Sequence, residues 1–250
     1  MASGYVWGID IGQCGLKALR GQLSADGQSV EADAYDYIEY PQILSQPDAN
    51  PVELIRAALK TLLSRNDLRG DGVAISLPGQ SGLSKFVTLP PVGAKELPQM
   101  VQYEAKGQIP FDLEEVVWDY QRMPGEYGAT EDEDEDLPMQ TEVGLFAIKR
   151  DQLFRAIRPL IDADVEIDII QLAPMAVYNA IAYDQLQGDQ PYDDEKGGRW
   201  VAALSIGTEA ADLVITNGYR VWQRNIPIGG NHFTKQLTQD LKLTFAKAEL

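Results

Sequence analysis

Two segments that lie far apart in the chain share a pattern that could bind phosphate. In each, a strand-like run ends in a polar residue, an apolar residue and a glycine, and a second strand-like run follows a short turn. The first pattern contains Asp10 and Gly12, and the second contains Ser205 and Gly207. A glycine at such a turn lets backbone N–H groups approach a phosphate, because no Cβ stands in the way. Two facing turns of this kind would grip a triphosphate from both sides.

The acid before the first glycine could add a metal ion to this site. A carboxylate at the end of a strand can hold the water shell of Mg²⁺, so Asp10 is the candidate metal-binding residue. The candidate phosphate-binding residues lie in and beside the two turns: Asp10, Gly12, Gln13, Cys14, Gly15, Lys17, Ser205, Gly207 and Thr208. The pattern is not a Walker loop, and it is not a Rossmann fingerprint because a strand follows the glycines.

A plainer interpretation stands beside this one. A strand, a turn with a glycine and a second strand usually form only a hairpin, in which Asp10 is a turn residue and Lys17 a solvated strand residue. The repetition of the pattern, each time at the head of three strands, favours phosphate binding.

The composition argues against several other functions. A net charge of −17 disfavours a nucleic-acid backbone or an anionic lipid surface as partner. A single cysteine excludes an internal disulfide, and a single histidine argues against a zinc site or a histidine-based triad. No leader precedes the first strand, and no apolar run reaches the roughly 20 residues of a membrane helix. We therefore expect a cytoplasmic chain that reaches the membrane only through a partner.

Two similar series of strands position the turns. The first comprises predicted strands over 5–11, 16–23 and 30–40, a helix capped by Asn50 with Val52 on its buried face, and a strand over 72–77. The second comprises strands over 200–206, 211–216 and 219–228 and a helix over 231–241. Because a further helix starts at Thr244, close to the last residue, we expect the second half to be truncated.

The region between the two series has its own elements. They are predicted strands over 83–89, 116–122, 142–149 and 165–170, and helices over 95–107, 150–161 and 173–185. The acidic run 131–136 is predicted to be a solvated hairpin tip, and 188–199 a linker.

Beyond these patterns, the chain resembles a known family. The two turns resemble the two phosphate motifs of the actin and hexokinase superfamily, and residues 171–180 resemble the connecting helix of its FtsA-like branch. The segment 101–120, VQYEAKGQIPFDLEEVVWDY, and the segment 224–234, RNIPIGGNHFT, are similar to the PilM family of type IV pilus assembly proteins. The resemblance covers nearly the whole chain, and the first of these two segments is its most specific part.

The resemblance implies a fold and a division into parts. The fold would be α/β and actin-like, that is, ribonuclease H-like, with an FtsA-like inserted small subdomain and a truncated second half. The first subdomain would comprise 1–82 and 150–190, the inserted subdomain 83–149, and the start of the second 199–250. The resemblance also adds Gln171, Gly229 and Gly230 to the candidate cofactor-binding residues.

Departures from the family pattern bear on the cofactor. The family usually has Ser or Thr after the first glycine, where this chain has Gln13, and the superfamily has Asp where this chain has Ser205. A serine supplies no charge to hold Mg²⁺. We therefore expect binding of ATP and Mg²⁺ to be weak or absent in this chain.

The resemblance also implies a partner. In the PilM family, the cleft beside the inserted subdomain takes up an extended N-terminal peptide of the inner-membrane protein PilN. The leading hypothesis is thus a cytoplasmic scaffold that binds a PilN-like protein, with ATPase activity left open but disfavoured by Ser205. The alternative is an active actin-like ATPase, possibly a filament-forming one like FtsA.

Overall fold

The computed structural model describes residues 4–90, 92–93, 95–123, 141–186 and 199–248. The strands are β1 (Val6–Ile11), β2 (Gly15–Leu23), β3 (Val30–Glu39), β4 (Gly72–Leu77), β5 (Leu83–Leu89), β6 (Val116–Arg122), β7 (Thr141–Lys149), β8 (Ile169–Leu172), β9 (Val201–Ile206), β10 (Ala211–Thr216) and β11 (Val221–Ile226). The helices are α1 (Pro51–Arg65), α2 (Leu97–Gln108), α3 (Arg150–Asp162), α4 (Ala173–Asp184), α5 (Gly230–Leu241) and α6 (Phe245–Ala248). The predicted acidic tip at 131–136 and nearly all of the predicted linker lie outside the described residues.

The first sheet has five strands in the order β3-β2-β1-β4-β8. β1 pairs antiparallel with β2 and parallel with β4, and β4 pairs parallel with β8. One face of the sheet packs against α1 and α3, in a core that includes Ile9 and Leu16 of the sheet and Leu59 of α1. The other face carries Tyr35 and Leu19, whose exposed fractions are 84% and 50%.

Helix α1 begins where the sequence predicts. The Asn50 side chain accepts a hydrogen bond from the Glu53 N–H, and Pro51 fills the first helical position. Ala58, Leu59 and Leu62 are buried against the sheet, as predicted. The prediction for Val52 is wrong: its side chain is 49% exposed, because the first turn of the helix extends beyond the sheet-facing core.

The segment before α4 also differs from the prediction. A strand was expected over 165–170, whereas β8 covers only Ile169–Leu172. Val165 donates its N–H to the Leu160 carbonyl at the end of α3, and Asp168 is the first residue to bond β4, through the Val73 carbonyl. The residues directly after α3 therefore bond to the end of that helix, and the chain pairs with β4 only from residue 168 onward.

The second sheet has the order β5-β7-β6 and is antiparallel throughout. Helix α2 covers one face of it, where Val101, Val143 and Leu145 have no exposed surface. β7 is the central strand, so β5 and β6 are both outer strands.

The third sheet has the order β11-β10-β9. One of its faces packs against α4, where Met175 and Tyr178 contact Val214 and Val221. The opposite face carries Leu204, Ile206 and Trp222, with exposed fractions of 54%, 61% and 48%.

A buried hydrogen bond fixes α4 to this sheet. The Tyr178 hydroxyl donates to the Gly218 carbonyl over 2.8 Å, in the hairpin between β10 and β11. Burial, and secondarily the Glu142 carboxylate, raises the pKa of Tyr178, so the hydroxyl keeps its proton. Gly218 has a φ of +93°, which favours glycine at this turn.

Replacing this hydroxyl should weaken the junction between α4 and the third sheet. We expect Tyr178→Phe to lower the free energy of unfolding by about 1–2 kcal/mol, because a buried carbonyl loses its donor. Tyr183→Phe is the matched control, since the Tyr183 hydroxyl donates to Gly27 at an exposed position. Urea unfolding of both variants checks this, and an equal loss in the two would contradict a special role for the buried bond.

Candidate functional site: two facing turns and a groove

The two predicted turns have the same backbone geometry. In the first, the Gly12 N–H donates to the Gly15 carbonyl over 3.0 Å, and in the second the Gly207 N–H donates to the Ala210 carbonyl over 2.9 Å. The glycines are needed for space. A Cβ on Gly15 would lie 2.7 Å from the Tyr37 ring and 2.8 Å from the Ile38 carbonyl oxygen. The repeat seen in the sequence is thus a repeat in structure.

The turns face each other. The Cys14 sulfur lies 3.0 Å from the Thr208 hydroxyl oxygen, so a side chain of the first turn touches one of the second. Either group can donate the hydrogen bond. Four of the predicted residues, Gly12, Cys14, Gly207 and Thr208, therefore meet at one place.

The predicted metal-binding residue already has two partners. The Ser76 hydroxyl donates to one oxygen of Asp10 over 2.9 Å, and the Lys17 ammonium group lies 3.4 Å from the other. Gln171 lies beside them at the open face of the first sheet, and these four side chains line the same depression. The sequence predicted Asp10, Lys17 and Gln171 but not Ser76, which parallel pairing of β1 and β4 places opposite Asp10.

The second turn is fixed to the start of α5. Gly230 and Asn231 donate their N–H groups to the carbonyls of Gly207 and Thr208, both over 2.9 Å. A Cβ on Gly229 would lie 2.5 Å from the Gly207 carbonyl oxygen, so only glycine allows this approach. Gly229 and Gly230, both predicted from the sequence, thus hold the second turn against the start of α5.

Sequence reasoning missed Glu209 and Ser45, which also join the two halves. The Ser45 hydroxyl donates to a Glu209 carboxylate oxygen over 2.6 Å, and the same oxygen accepts a bond from the Asn231 side chain. Burial raises the pKa of Glu209, but the hydrogen bonds from Ser45 and Asn231 and the charges of Lys235 and His232 outweigh it and leave the pKa lowered. The carboxylate is therefore ionised at neutral pH.

A groove of about 650 Å³ lies between the first and second sheets. Its walls are β6 and β8, each an outer strand of its sheet, and α4 contributes Met175, Tyr178 and Asn179. Ile170 of β8 also lines the groove. Outer strands present backbone groups that an added strand can pair with.

The pairing of β6 with β7 shows which backbone groups of β6 are open to an added strand. Arg150 N–H bonds the Glu115 carbonyl and Met123 N–H bonds the Glu142 carbonyl, at the two ends of the ladder. Because hydrogen-bonded and non-bonded pairs alternate in antiparallel strands, residues 118, 120 and 122 direct their backbone groups away from β7. Two side chains cap these groups: Asp119 accepts from the Tyr120 N–H over 2.8 Å, and Gln121 donates to the Arg122 carbonyl over 3.1 Å.

Other kinds of site find no support in the described parts of the chain. Within them, no three His, Cys, Asp or Glu side chains are grouped so that they could hold a metal ion. The helices described there are all too short or too polar to cross a bilayer.

Comparison with known protein families identifies one family. The family model for type IV pilus assembly protein PilM matches residues 8–250. The fold is similar to that of the solved PilM-PilN type IV pilus biogenesis complex, with a TM-score of 0.73 and 21% sequence identity over 98% of this chain and 68% of that chain. No curated protein sequence matches.

Two further solved structures are more distantly similar. One is the cytoplasmic domain of EpsL, an inner-membrane component of the type II secretion system of Vibrio cholerae, with a TM-score of 0.49 and 12% identity over 96% of this chain and 77% of that chain. The other is the ethanolamine utilization protein EutJ from Carboxydothermus hydrogenoformans, with a TM-score of 0.45 and 14% identity over 100% of this chain and 61% of that chain.

The likeness to the PilM-PilN structure confirms the α/β fold of the actin-like class that the sequence predicts. The match of the family model extends over nearly the entire chain, from the first strand onward. The chain therefore belongs to the family of the type IV pilus assembly protein PilM.

Proposed function

We propose that this chain is a scaffold of type IV pilus assembly that binds the extended N-terminal peptide of a PilN-like membrane protein. The observation that carries the proposal is the groove between the first two sheets, with an outer strand on each side. The similar solved structure is a complex of PilM with PilN, which supports this kind of partner. Binding such a protein would hold the chain at the cytoplasmic side of the inner membrane.

The chemistry of the groove suits an extended apolar peptide. Met123, Phe146, Ile170 and Met175 offer apolar surface along it. The backbone groups of β6 that face away from β7 recur at every second residue, and a bound peptide would replace the Asp119 and Gln121 side chains that bond two of them. Seven residues of β6 span about 23 Å, which is enough to fix the register of a short peptide. Main-chain bonds would thus set the position, and apolar contacts the selectivity.

The proposed scaffold works without tight nucleotide binding. Ser205 brings no charge to the second turn, and Asp10 is engaged by Lys17 and Ser76. The direct contact of Cys14 with Thr208 also fills the gap between the turns. These residues do not fit a triphosphate held between them, so we infer that the chain has at most weak affinity for Mg-ATP.

A charge introduced into the groove should weaken peptide binding. We expect Ile170→Glu to reduce affinity for the N-terminal cytoplasmic peptide of the cognate PilN-like protein by roughly tenfold or more, because the peptide would bury the carboxylate. Fluorescence anisotropy with labelled peptide measures this. The Ile170 side chain is 39% exposed, so the substitution should leave the fold intact.

Ile161→Glu is the matched control, because Ile161 is 50% exposed and lies on α3 away from the groove lining. It should bind the peptide like the unaltered chain. Equal binding by both variants would place the site elsewhere. Failure of the unaltered chain to bind the peptide at all would overturn the scaffold proposal itself.

Nucleotide affinity gives a separate test. Calorimetry of the chain with Mg-ATP should show no binding in the low-micromolar range, since no acid stands at Ser205 and the turns are in contact. Low-micromolar binding that disappears in Asp10→Ala would contradict this and would favour an active ATPase.

A further inference from the structure

The contact between the two turns is built from more than one pair of side chains. Cys14 touches Thr208, 194 positions away, and Ser45 donates to Glu209, 164 positions away. We call these two pairs the turn bridge. They act on adjacent residues of the second turn, so that turn is held to the first half of the chain at two neighbouring points.

Both sides of the turn bridge have firm backbone support. In the first half, the N–H groups of Tyr40 and Leu44 donate to the carbonyls of Cys14 and Gln13, both over 2.9 Å, which ties the segment before Ser45 to the first turn. In the second half, α5 bonds the carbonyls of Gly207 and Thr208. The bridge therefore joins two units that are each hydrogen-bonded internally.

The bridge and a bound phosphate compete for the same space. Two groups that share one phosphate oxygen lie roughly 4–5 Å apart, because each hydrogen bond is about 2.8 Å long. The Cys14 sulfur and the Thr208 oxygen are 3.0 Å apart. A phosphate between these two side chains would therefore have to break their contact.

The negative charge of Glu209 also disfavours a phosphate at the second turn. The Glu209 carboxylate bonds Asn231, the second residue of α5, and so lies near the positive end of the helix dipole. Its negative charge stands where a phosphate bound to the second turn would approach, and like charges repel.

We propose that the turn bridge is an autoinhibitory contact: the pairs Cys14–Thr208 and Ser45–Glu209 hold the two turns together without a ligand and keep phosphate groups out. The bridge thus lies where a nucleotide would otherwise link the two turns. The inference does not depend on peptide binding in the groove, and its test does not involve the peptide.

The thiol itself reports on the bridge, because Cys14 is the chain's single cysteine. The rate of alkylation of Cys14 by iodoacetamide, followed by mass spectrometry, measures how readily this half-buried thiol leaves its contact with Thr208. Ser45→Ala removes one pair without changing charge and without touching Cys14. We expect it to raise the alkylation rate roughly fivefold, as expected for one hydrogen bond. Thr208→Val should have a similar effect, and Thr208→Ser should react like the unaltered chain.

Ser64→Ala is the matched control, since the Ser64 hydroxyl bonds only within α1 at an exposed position. It should leave the rate unchanged, and millimolar inorganic triphosphate should not change the rate of the unaltered chain. An unchanged rate in Ser45→Ala would overturn the proposal. An alkylation rate in the folded chain equal to the rate in urea would also overturn it. Slower alkylation of Cys14 in the unaltered chain when triphosphate is added would do the same. If Thr208→Val fails to fold, Ser45→Ala at its exposed site still decides the question.

Discussion

The packing of α4 against its neighbours determines where the rest of the molecule lies. Met175 and Tyr178 of this helix are 4% and 8% exposed, and they share one cluster with Val214 and Val221 of the third sheet and Met123 near the second. The helix starts directly after β8, so the outer strand of the first sheet, the floor of the groove and the third sheet are fixed by one continuous segment. A change in that cluster would therefore affect both the groove and the third sheet.

At the two facing turns, the halves of the chain meet through small side chains. The backbone carbonyls of each turn accept hydrogen bonds from within their own half. Those of the first turn bond the segment ending at Leu44, and those of the second turn bond the start of α5. Beside the packing of α4, short side chains join the two halves near the turns, namely Cys14 with Thr208 and Ser45 with Glu209. These contacts bury little surface. Each hydrogen bond between short side chains forms only while the two backbones are held at the right distance.

Local signals in the sequence predicted much of this arrangement. Asn50 and Pro51 indicate the start of α1, and the repeated glycine turns indicate two hairpins with the same internal bond. These features are encoded by neighbouring residues, so sequence alone reveals them. The approach of Ser45 to Glu209 has no local signal, because it arises from how two sheets are placed in space. Likewise, an Asn50 cap reveals where the helix begins but not that its first turn leaves Val52 in solvent.

The outer edge of β6 has a consequence for how the molecule behaves in a crowded cell. An unpaired strand edge is a template on which a second copy of the chain, or an unfolded protein, can add a strand and start aggregation. Here the Asp119 carboxylate accepts a hydrogen bond from the Tyr120 N–H, and the Gln121 side chain donates one to the Arg122 carbonyl. An incoming strand must first displace both side chains, and the carboxylate repels other acidic chains, including copies of this one with its net charge of −17. The same strand can thus stay open to a suitable peptide while resisting fibre formation.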